Sequence, residues 1–290
     1  MTENNYSKPY STPFINEEKR VIPCALCKGT VFKPSIDCLS FSYVYCIKCS
    51  LVQINPQPIA DDVRKRYGEN WGSDYLAYEL ANEENFFNLS QLALKDINFN
   101  EVEEDFKKSG TMRILDIGCA TGALLASFRE RGWECTGVEI SGPQAEYTRQ
   151  KKKLDIRSLP LEENNFPSAS FEVITASHVI EHLNDPASFF KEVYRILVQG
   201  GTFIVITPNI AGFQAKLFGR KWRSAIFDHL YLFSVKTLSA FLREAGFTIE
   251  KIGTWGGLAI GTAPLPIKRI FDRGAKRFGF GDVMVMRVKK

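Results

Sequence analysis

The stretch RILDIGCATGALLASF, residues 113–128, decides the fold of this 290-residue chain. It begins as a mostly apolar strand, passes through a turn of small residues and continues as an amphipathic helix. The same alternation of strand and helix continues through ECTGVEI, FEVITAS and TFIVITP. Continuous apolar strands between helices are typical of a parallel sheet that helices cover on both faces. The sequence therefore predicts a doubly wound α/β domain over residues 111–290.

The turn after the first strand is the expected ligand site, because open α/β sheets bind ligands at the carboxyl ends of their strands. Gly118 and Gly122 allow backbone torsions and close approaches that a side chain would block. A dinucleotide fingerprint needs glycine at positions 118, 120 and 123, but this chain has Ala120 and Ala123. Asp116 at the strand end would repel a phosphate. The turn thus favours a cationic ligand.

The segment DIGCATG, residues 116–122, resembles the first motif of class I S-adenosylmethionine-dependent methyltransferases, an acid followed by glycines at alternate positions. Ala120 replaces the middle glycine. The cofactor of that family carries a positive sulfonium and amino group and no phosphate, which agrees with the chemistry of the turn. Glu139 follows Gly122 at a distance that fits one helix and one strand, and an acid at the end of that strand is expected to bind both ribose hydroxyls.

The resemblance covers residues 110–255 and implies a Rossmann-like methyltransferase sheet. Residues 161–186, LEENNFPSASFEVITASHVIEHLNDP, resemble the third and fourth motifs of the branch that includes ubiquinone-biosynthesis and sugar methyltransferases. By that similarity, Glu162 and Glu163 border the adenine, and Ser177 and His178 lie beside the methionine end. The implied cofactor-binding residues are Asp116, Gly118, Cys119, Ala120, Gly122, Glu139, Ile140, Glu162, Ser177 and His178.

The acceptor side is predicted around the histidines, of which the chain has three. Methyl transfer mainly requires positioning and exclusion of water, but a hydroxyl acceptor also has to lose a proton, for which imidazole is suited. His229 lies in the connection where the resembling branch builds its acceptor pocket, and is either the catalytic base or a hydrogen-bonded structural residue. Of His178 and His182, one is predicted to face the cofactor cleft and the other to cap or pack the helix, with a metal pair as the alternative.

The same connection interleaves aromatic and basic side chains. Trp222 and Tyr231 are predicted to line the substrate pocket together with His229. Such aromatics equally suit stacking on bases, a lid, a membrane-surface helix or simple core packing. The pattern leaves these alternatives open.

Four of the seven cysteines form two pairs, CALC at positions 24–27 and CIKC at positions 46–49. This spacing is typical of a zinc ribbon, and disulfides or free thiols are the alternative. Because four thiolates close a tetrahedral site, the zinc is predicted to be structural, and Cys38, between the pairs, is predicted to be a strand residue. The predicted ligands are Cys24, Cys27, Cys46 and Cys49.

The remaining organisation follows from composition. We expect a flexible tail over residues 1–20, the zinc ribbon over 21–54, and a linker with a helical cap over 55–110. No apolar run is long enough to span a bilayer and the N-terminus lacks a signal core, so a cytoplasmic location is expected. Residues 210–290 carry 15 basic and 5 acidic side chains, which suggests a solvated face, or else contact with a membrane surface or nucleic acid.

Taken with the resemblance, these features predict a methyltransferase that acts on a small molecule or glycan, at oxygen by in-line displacement. The alternatives are an RNA methyltransferase, a sugar C-methyltransferase and a binding protein that has lost turnover. The ribbon disfavours RNA, because it has few cations, Lys28, Lys33 and Lys48.

Overall fold

The computed structural model describes residues 17–67, 69–257 and 264–290. Most of the predicted flexible tail lies outside these residues. The strands are β1 (Lys19–Arg20), β2 (Phe32–Asp37), β3 (Ser42–Cys46), β4 (Val52–Ile54), β5 (Gln57–Pro58), β6 (Arg113–Ile117), β7 (Glu134–Val138), β8 (Asp155–Arg157), β9 (Phe171–Ser177), β10 (Leu197–Pro208), β11 (Tyr231–Leu232), β12 (Thr248–Trp255) and β13 (Val283–Lys289).

Helices connect these strands, and short 3-10 turns follow β8 and β9. The helices are α1 (Ala60–Lys65), α2 (Glu69–Asp96), α3 (Phe99–Ser109), α4 (Ala123–Glu130), α5 (Gly142–Tyr147), α6 (Pro186–Ile196), α7 (Phe213–Phe218), α8 (Val235–Glu244) and α9 (Leu265–Phe278). Among the described residues, no helix combines the length and the apolar character that crossing a membrane requires.

A seven-stranded sheet forms the centre of the molecule, in the order β12-β13-β10-β9-β6-β7-β8. Five neighbouring strands, β10, β9, β6, β7 and β8, run parallel to one another. Strand β13 runs antiparallel to both of its neighbours, β10 and β12. Ile114, Leu115 and Phe203 are fully buried, because their strands have helices on both faces. The predicted doubly wound α/β architecture is confirmed. The carboxyl ends of β6, β7 and β9 lie side by side at one edge.

Helices α2 and α3 share a buried apolar cluster with strands β6, β9, β10 and β13 of this sheet. Helix α2 contacts α3, α4 and α5, and an ion pair of 3.2 Å joins Glu83 of α2 to Lys152. The Phe99 ring of α3 packs edge-to-face against Phe128, with ring centroids 5.4 Å apart. It packs at a tilt against Trp133, with centroids 6.2 Å apart. The segment predicted to form a helical cap is thus largely helical and rests on α4 and α5.

The cysteine-rich segment forms part of a second sheet, of four antiparallel strands in the order β11-β4-β3-β2. Strand β11 comes from the connection after β10, and Tyr231 pairs with Gln53. Outside the ladder, the Tyr43 hydroxyl donates to the backbone carbonyls of Ile226 and His229 at 2.7 and 2.9 Å. The N-terminal segment and the predicted acceptor connection therefore share one sheet.

Candidate active site

The turn between β6 and α4 has an unusual backbone, in which alternate residues adopt the left-handed region. The φ angles are +70° at Gly118, +46° at Ala120 and +72° at Gly122. A Cβ at Gly118 would lie 2.5 Å from a methyl of Val179, and one at Gly122 would lie 2.5 Å from a methyl of Thr148. Both glycines are therefore required by contact as well as by torsion. Ala120 adopts its left-handed backbone conformation at a cost of about 1 kcal/mol.

Two buried carboxylates, one from β6 and one just after β7, lie beside this turn. Asp116 accepts a hydrogen bond of 2.6 Å from the Thr175 hydroxyl. Glu139 accepts from the backbone amides of Ala120 at 3.0 Å and Ser141 at 2.8 Å. Burial, with a smaller effect of Glu139, raises the pKa of Asp116 to about 7, and burial also raises the pKa of Glu139. Two buried acids favour a cationic or hydroxyl-bearing ligand.

Other predicted cofactor residues lie on neighbouring segments of the same edge. Ser177 ends β9, and His178 follows it with a φ of +55°. The His178 backbone amide donates to the Ile206 carbonyl at 2.9 Å. Glu162 lies in the 3-10 turn Leu161–Glu163. Cys119 is buried and Ile140 is exposed.

Close to the carboxyl end of β9, a second cluster joins Glu181, His182 and His229, with one ligand-type atom of each within 4.8 Å of the others. The two imidazole rings meet edge-to-face with centroids 4.7 Å apart. Glu181 accepts from the Thr207 hydroxyl at 2.9 Å and lies 3.2 Å from Nδ1 of His178. Although burial opposes its ionisation, the neighbouring histidines, His178 first, lower the pKa of Glu181 to about 2.

Asp228 completes this cluster. Its Oδ2 and its backbone carbonyl oxygen both lie 3.0 Å from Nδ1 of His182, and its Oδ1 lies 2.8 Å from Nη1 of Arg66. Arg66 also donates twice to Glu17, at 2.8 and 2.9 Å. Burial opposes the ionisation of Asp228, but His182 and Arg66 hold its pKa well below the usual range. Asp228 directly precedes His229, which is the one sequence signal that could have drawn attention to it.

The three residues of the predicted substrate pocket are all buried in the connection between β10 and α8. Trp222 donates through Nε1 to the Asp282 carboxylate. The Tyr231 hydroxyl donates to the Asn184 carbonyl at 3.1 Å. Nδ1 of His229 lies 2.9 Å from the Ser224 carbonyl oxygen. Of the three, His229 lies in the same cluster as His182.

The four paired cysteines converge at the end of the second sheet, with their Sγ atoms within 4.8 Å of one another. The Sγ atoms of Cys24 and Cys49, and those of Cys27 and Cys46, are 3.4 Å apart, well beyond a disulfide bond of about 2.05 Å. Burial raises the pKa of Cys24 and Cys49, whereas hydrogen bonds from the Cys49 and Lys48 backbone and from neighbouring thiols together outweigh burial and lower the pKa of Cys46 to about 7. The arrangement offers four sulfur donors to one ion.

Comparison with known proteins agrees with this geometry. Residues 63–252 match a family model described as a methyltransferase domain. The chain belongs to this methyltransferase family. Over 153 residues it is 33% identical to a protein of Mycolicibacterium smegmatis named Probable S-adenosylmethionine-dependent methyltransferase. This match covers 51% of this chain and 56% of that protein. It is 25% identical over 169 residues to a ubiquinone biosynthesis O-methyltransferase of Psychrobacter cryohalolentis, covering 54% and 65%.

These matches span 56% and 65% of the two relatives' own length. Among solved structures, a SAM-dependent methyltransferase from Archaeoglobus fulgidus superposes with a TM-score of 0.53 and 21% identity, over 73% of this chain and 99% of that one. This likeness supports the fold. The resemblance predicted from DIGCATG and the motifs after it is confirmed at the level of the family.

Proposed function

We propose that this protein is an S-adenosylmethionine-dependent methyltransferase that methylates a small-molecule or glycan acceptor, at oxygen. The observation that carries the proposal is the pair of buried carboxylates, Asp116 and Glu139, beside a turn in which Gly118 and Gly122 leave no room for a side chain. A sulfonium cofactor rich in hydroxyl groups matches that combination of negative charge, acceptor oxygens and close backbone approach.

The residues present fit this cofactor. The Ser141 hydroxyl, next to the Glu139 site, is a buried oxygen without a hydrogen-bond partner in the described part of the chain, as expected where a polar ligand binds. When bound, the cofactor supplies the methyl group on a positive sulfur. In the proposed arrangement Glu139 binds the ribose, and Ile140 and Glu162 border the adenine. Asp116 faces the positive methionine end, beside which Ser177 and His178 lie.

We infer that the cysteine cluster binds one structural zinc ion. Four thiols at one point form a closed tetrahedral donor set, which leaves no position for a catalytic water. The Cys38 thiol lies outside the cluster, 3.9 Å from the Ala225 carbonyl oxygen. The zinc would hold the sheet in which β4 pairs with β11, and so fix the connection that bears His229 from the N-terminal side.

We infer one further contact, with an anionic membrane surface, through α9. Ile270 and Phe278 on this helix are 66% and 72% exposed. Arg273 and Arg277, which are also exposed, lie between them in sequence. Apolar side chains flanked by cations are typical of helices that lie at the surface of anionic lipid.

The proposed function is tested by transfer of a radiolabelled methyl group from S-adenosylmethionine into a fractionated cell extract. The RNA, glycan-lipid and small-molecule pools are counted separately, with Glu139→Ala as the control that removes donor binding. We expect counts in the small-molecule or glycan pools with the wild-type protein alone. Counts confined to RNA would replace the proposal with RNA methylation, and counts in no pool would favour a binding protein without turnover.

We also expect cofactor affinity to depend on pH through Asp116. Because its pKa is about 7 in the free protein and a cationic ligand favours the ionised form, protonation at lower pH competes with binding. The dissociation constant should fall by about tenfold between pH 6 and pH 7.5 and then level off. Calorimetry across this range measures it, and Asp116→Asn should bind more weakly with a flat profile. A flat wild-type profile would contradict the assignment of Asp116.

A further inference from the structure

We propose that the protein forms a two-fold symmetric dimer, in which the outward face of α2 pairs antiparallel with the same face of a second copy. Helix α2 is 28 residues long, which corresponds to about 42 Å. Its inward face contacts α3, α4 and α5, and its outward face is exposed. This inference goes beyond the proposed function and does not depend on it.

The outward face of α2 is apolar and uncharged in its middle part. Leu89 and Leu92 are 45% and 55% exposed, and the other exposed side chains from position 85 to position 92 are the amides of Asn85 and Asn88. The neighbouring helix α3, by contrast, exposes charged side chains such as Glu104. Covering the middle of α2 buries apolar surface without taking a charge out of water, so a partner is favoured there.

The exposed residues recur with the spacing of a helix-pairing seam. Ala81, Asn85, Asn88 and Leu92, which are all exposed, follow one another at intervals of four, three and four residues. This alternation is that of the a and d positions of a coiled coil, and it places the four side chains along one line of the helix. The seam therefore fits another helix that lies nearly along the axis of α2.

The seam is complementary to itself in the antiparallel direction. A two-fold axis midway between Asn85 and Asn88 places Leu92 opposite Ala81 of the second copy, and Asn85 opposite Asn88 of the second copy. The large leucine then fills the space above the small alanine, and the amides pair as donor and acceptor at the centre. Parallel pairing would instead place each residue opposite itself, with a gap between the two alanines. The antiparallel contact is isologous, so it closes as a dimer.

The charges at the two ends of the face agree with the antiparallel direction. Asp74 is exposed near the start of α2 and Lys95 is exposed near its end. Antiparallel pairing brings Lys95 of one copy toward Asp74 of the other, whereas parallel pairing brings like charges together. Opposed helix dipoles favour the same direction. The identity of the partner as a second copy of this chain rests on this match of size, amide pairing and charge.

The dimensions of the face set the expected strength of the dimer. From Asp74 to Lys95 the helix runs about 32 Å, and a helix is about 10 Å wide. A strip of this size lies at the low end of specific protein interfaces. We therefore expect a dissociation constant of about 1–100 µM.

The oligomeric state of the full-length chain tests the proposal. Sedimentation velocity over about 1–200 µM should show monomer converting to dimer. Leu92→Lys should weaken the dimer by about 100-fold or more, because it places a charge inside the seam. Leu217→Lys is the matched control: Leu217 on α7 is 57% exposed, so this variant changes net charge and surface equally and should dimerise as the wild type does.

A paired substitution tests the register. Leu92→Ala should weaken the dimer by about tenfold or more, because a gap opens above Ala81 of the second copy. Adding Ala81→Leu to that variant again sets a large side chain opposite a small one, and should bring the dissociation constant back to within about fivefold of the wild type. Circular dichroism with thermal unfolding confirms that each variant is folded.

The outcomes separate this dimer from other uses of the face. Loss of the dimer in Leu92→Lys, its retention in Leu217→Lys and its recovery in the paired variant support the proposal. A wild-type chain that stays monomeric throughout the range, a dimer that Leu92→Lys leaves intact, or a paired variant without recovery would overturn it. A monomer that binds vesicles of phosphatidylcholine and phosphatidylglycerol, and loses them in Leu92→Lys, would assign the face to a membrane and also overturn it. None of these measurements involves methyl transfer, so the proposed function is tested separately.

Discussion

Replacing Glu139 with alanine should weaken S-adenosylmethionine binding by about 100-fold or more and leave the protein folded. A buried carboxylate that binds two ribose hydroxyls loses two charge-assisted hydrogen bonds, each worth about 1.5–3 kcal/mol. The substitution also leaves the amides of Ala120 and Ser141 without their acceptor, which loosens the turn beside the cofactor. Isothermal titration calorimetry at pH 7.5 measures the affinity, and circular dichroism with thermal unfolding measures the fold.

Two further variants sharpen this prediction. Glu139→Gln keeps one carbonyl oxygen and should lose about tenfold in affinity. The midpoint of thermal unfolding of Glu139→Gln should stay level or rise. Burial raises the pKa of Glu139 in the folded protein, so above the pKa that Glu139 has in the unfolded chain its ionised form destabilises the folded state. Glu134→Ala, an exposed residue at the other end of β7, should bind as the wild type does. Equal affinity in the wild type and Glu139→Ala would refute the ribose assignment.

The second large effect is expected from the cysteine cluster. Atomic absorption should find about one zinc ion per chain, and Cys46→Ser should lose it. Structural zinc contributes about 10–16 kcal/mol in small zinc-finger peptides, so even partial loss should lower the midpoint of thermal unfolding by about 10 °C or more. The N-terminal segment has little apolar core of its own to compensate, because Val21, Val31, Leu39 and Ile47 are exposed.

The matched control is Cys38→Ser. Cys38 lies on the same segment but its thiol faces the Ala225 carbonyl and not the other sulfurs, so this variant should keep its zinc and its midpoint. Cys46→Ser should also retain cofactor affinity within a few-fold, because Asp116 lies in β6 and Glu139 directly follows β7, both in the central sheet and not in the sheet of the cysteine segment. A folded, metal-free wild-type protein with an unchanged midpoint would contradict the proposed zinc site.

The turn after β6 and the buried acids beside it could be predicted from sequence because their signals are local. The acid, the small residues and the helix of the first motif all lie in the single stretch 113–128, and the structure shows why the pattern tolerates Ala120, which reaches a φ of +46°. The two cysteine pairs are equally local signals. The doubly wound sheet followed from the length and apolar character of its strands, which depend little on distant contacts.

The surroundings of the connection between β10 and α8 could not be predicted to the same degree, because its contacts join distant parts of the chain. Arg66 and Asp228 are 162 residues apart, and no pattern around either indicates the other. The basic and aromatic neighbours of Trp222 predicted that it lines a pocket. In the structure its indole is buried and donates to Asp282, which lies 60 positions later in the chain. That role stays a prediction. The sequence could show that histidines were present, but not which carboxylate would orient them.

The pairing of β11 with β4 has a consequence for how the protein is made. Tyr231 and its partner Gln53 are separated by more than half of the chain, so β4 leaves the ribosome long before its neighbour. It remains an open sheet edge until the chain beyond residue 232 has been translated. Attempts to graft the N-terminal module onto another enzyme, or to delete it, would expose this edge on one part or the other. The strand and the connection that completes it should be transplanted as one unit.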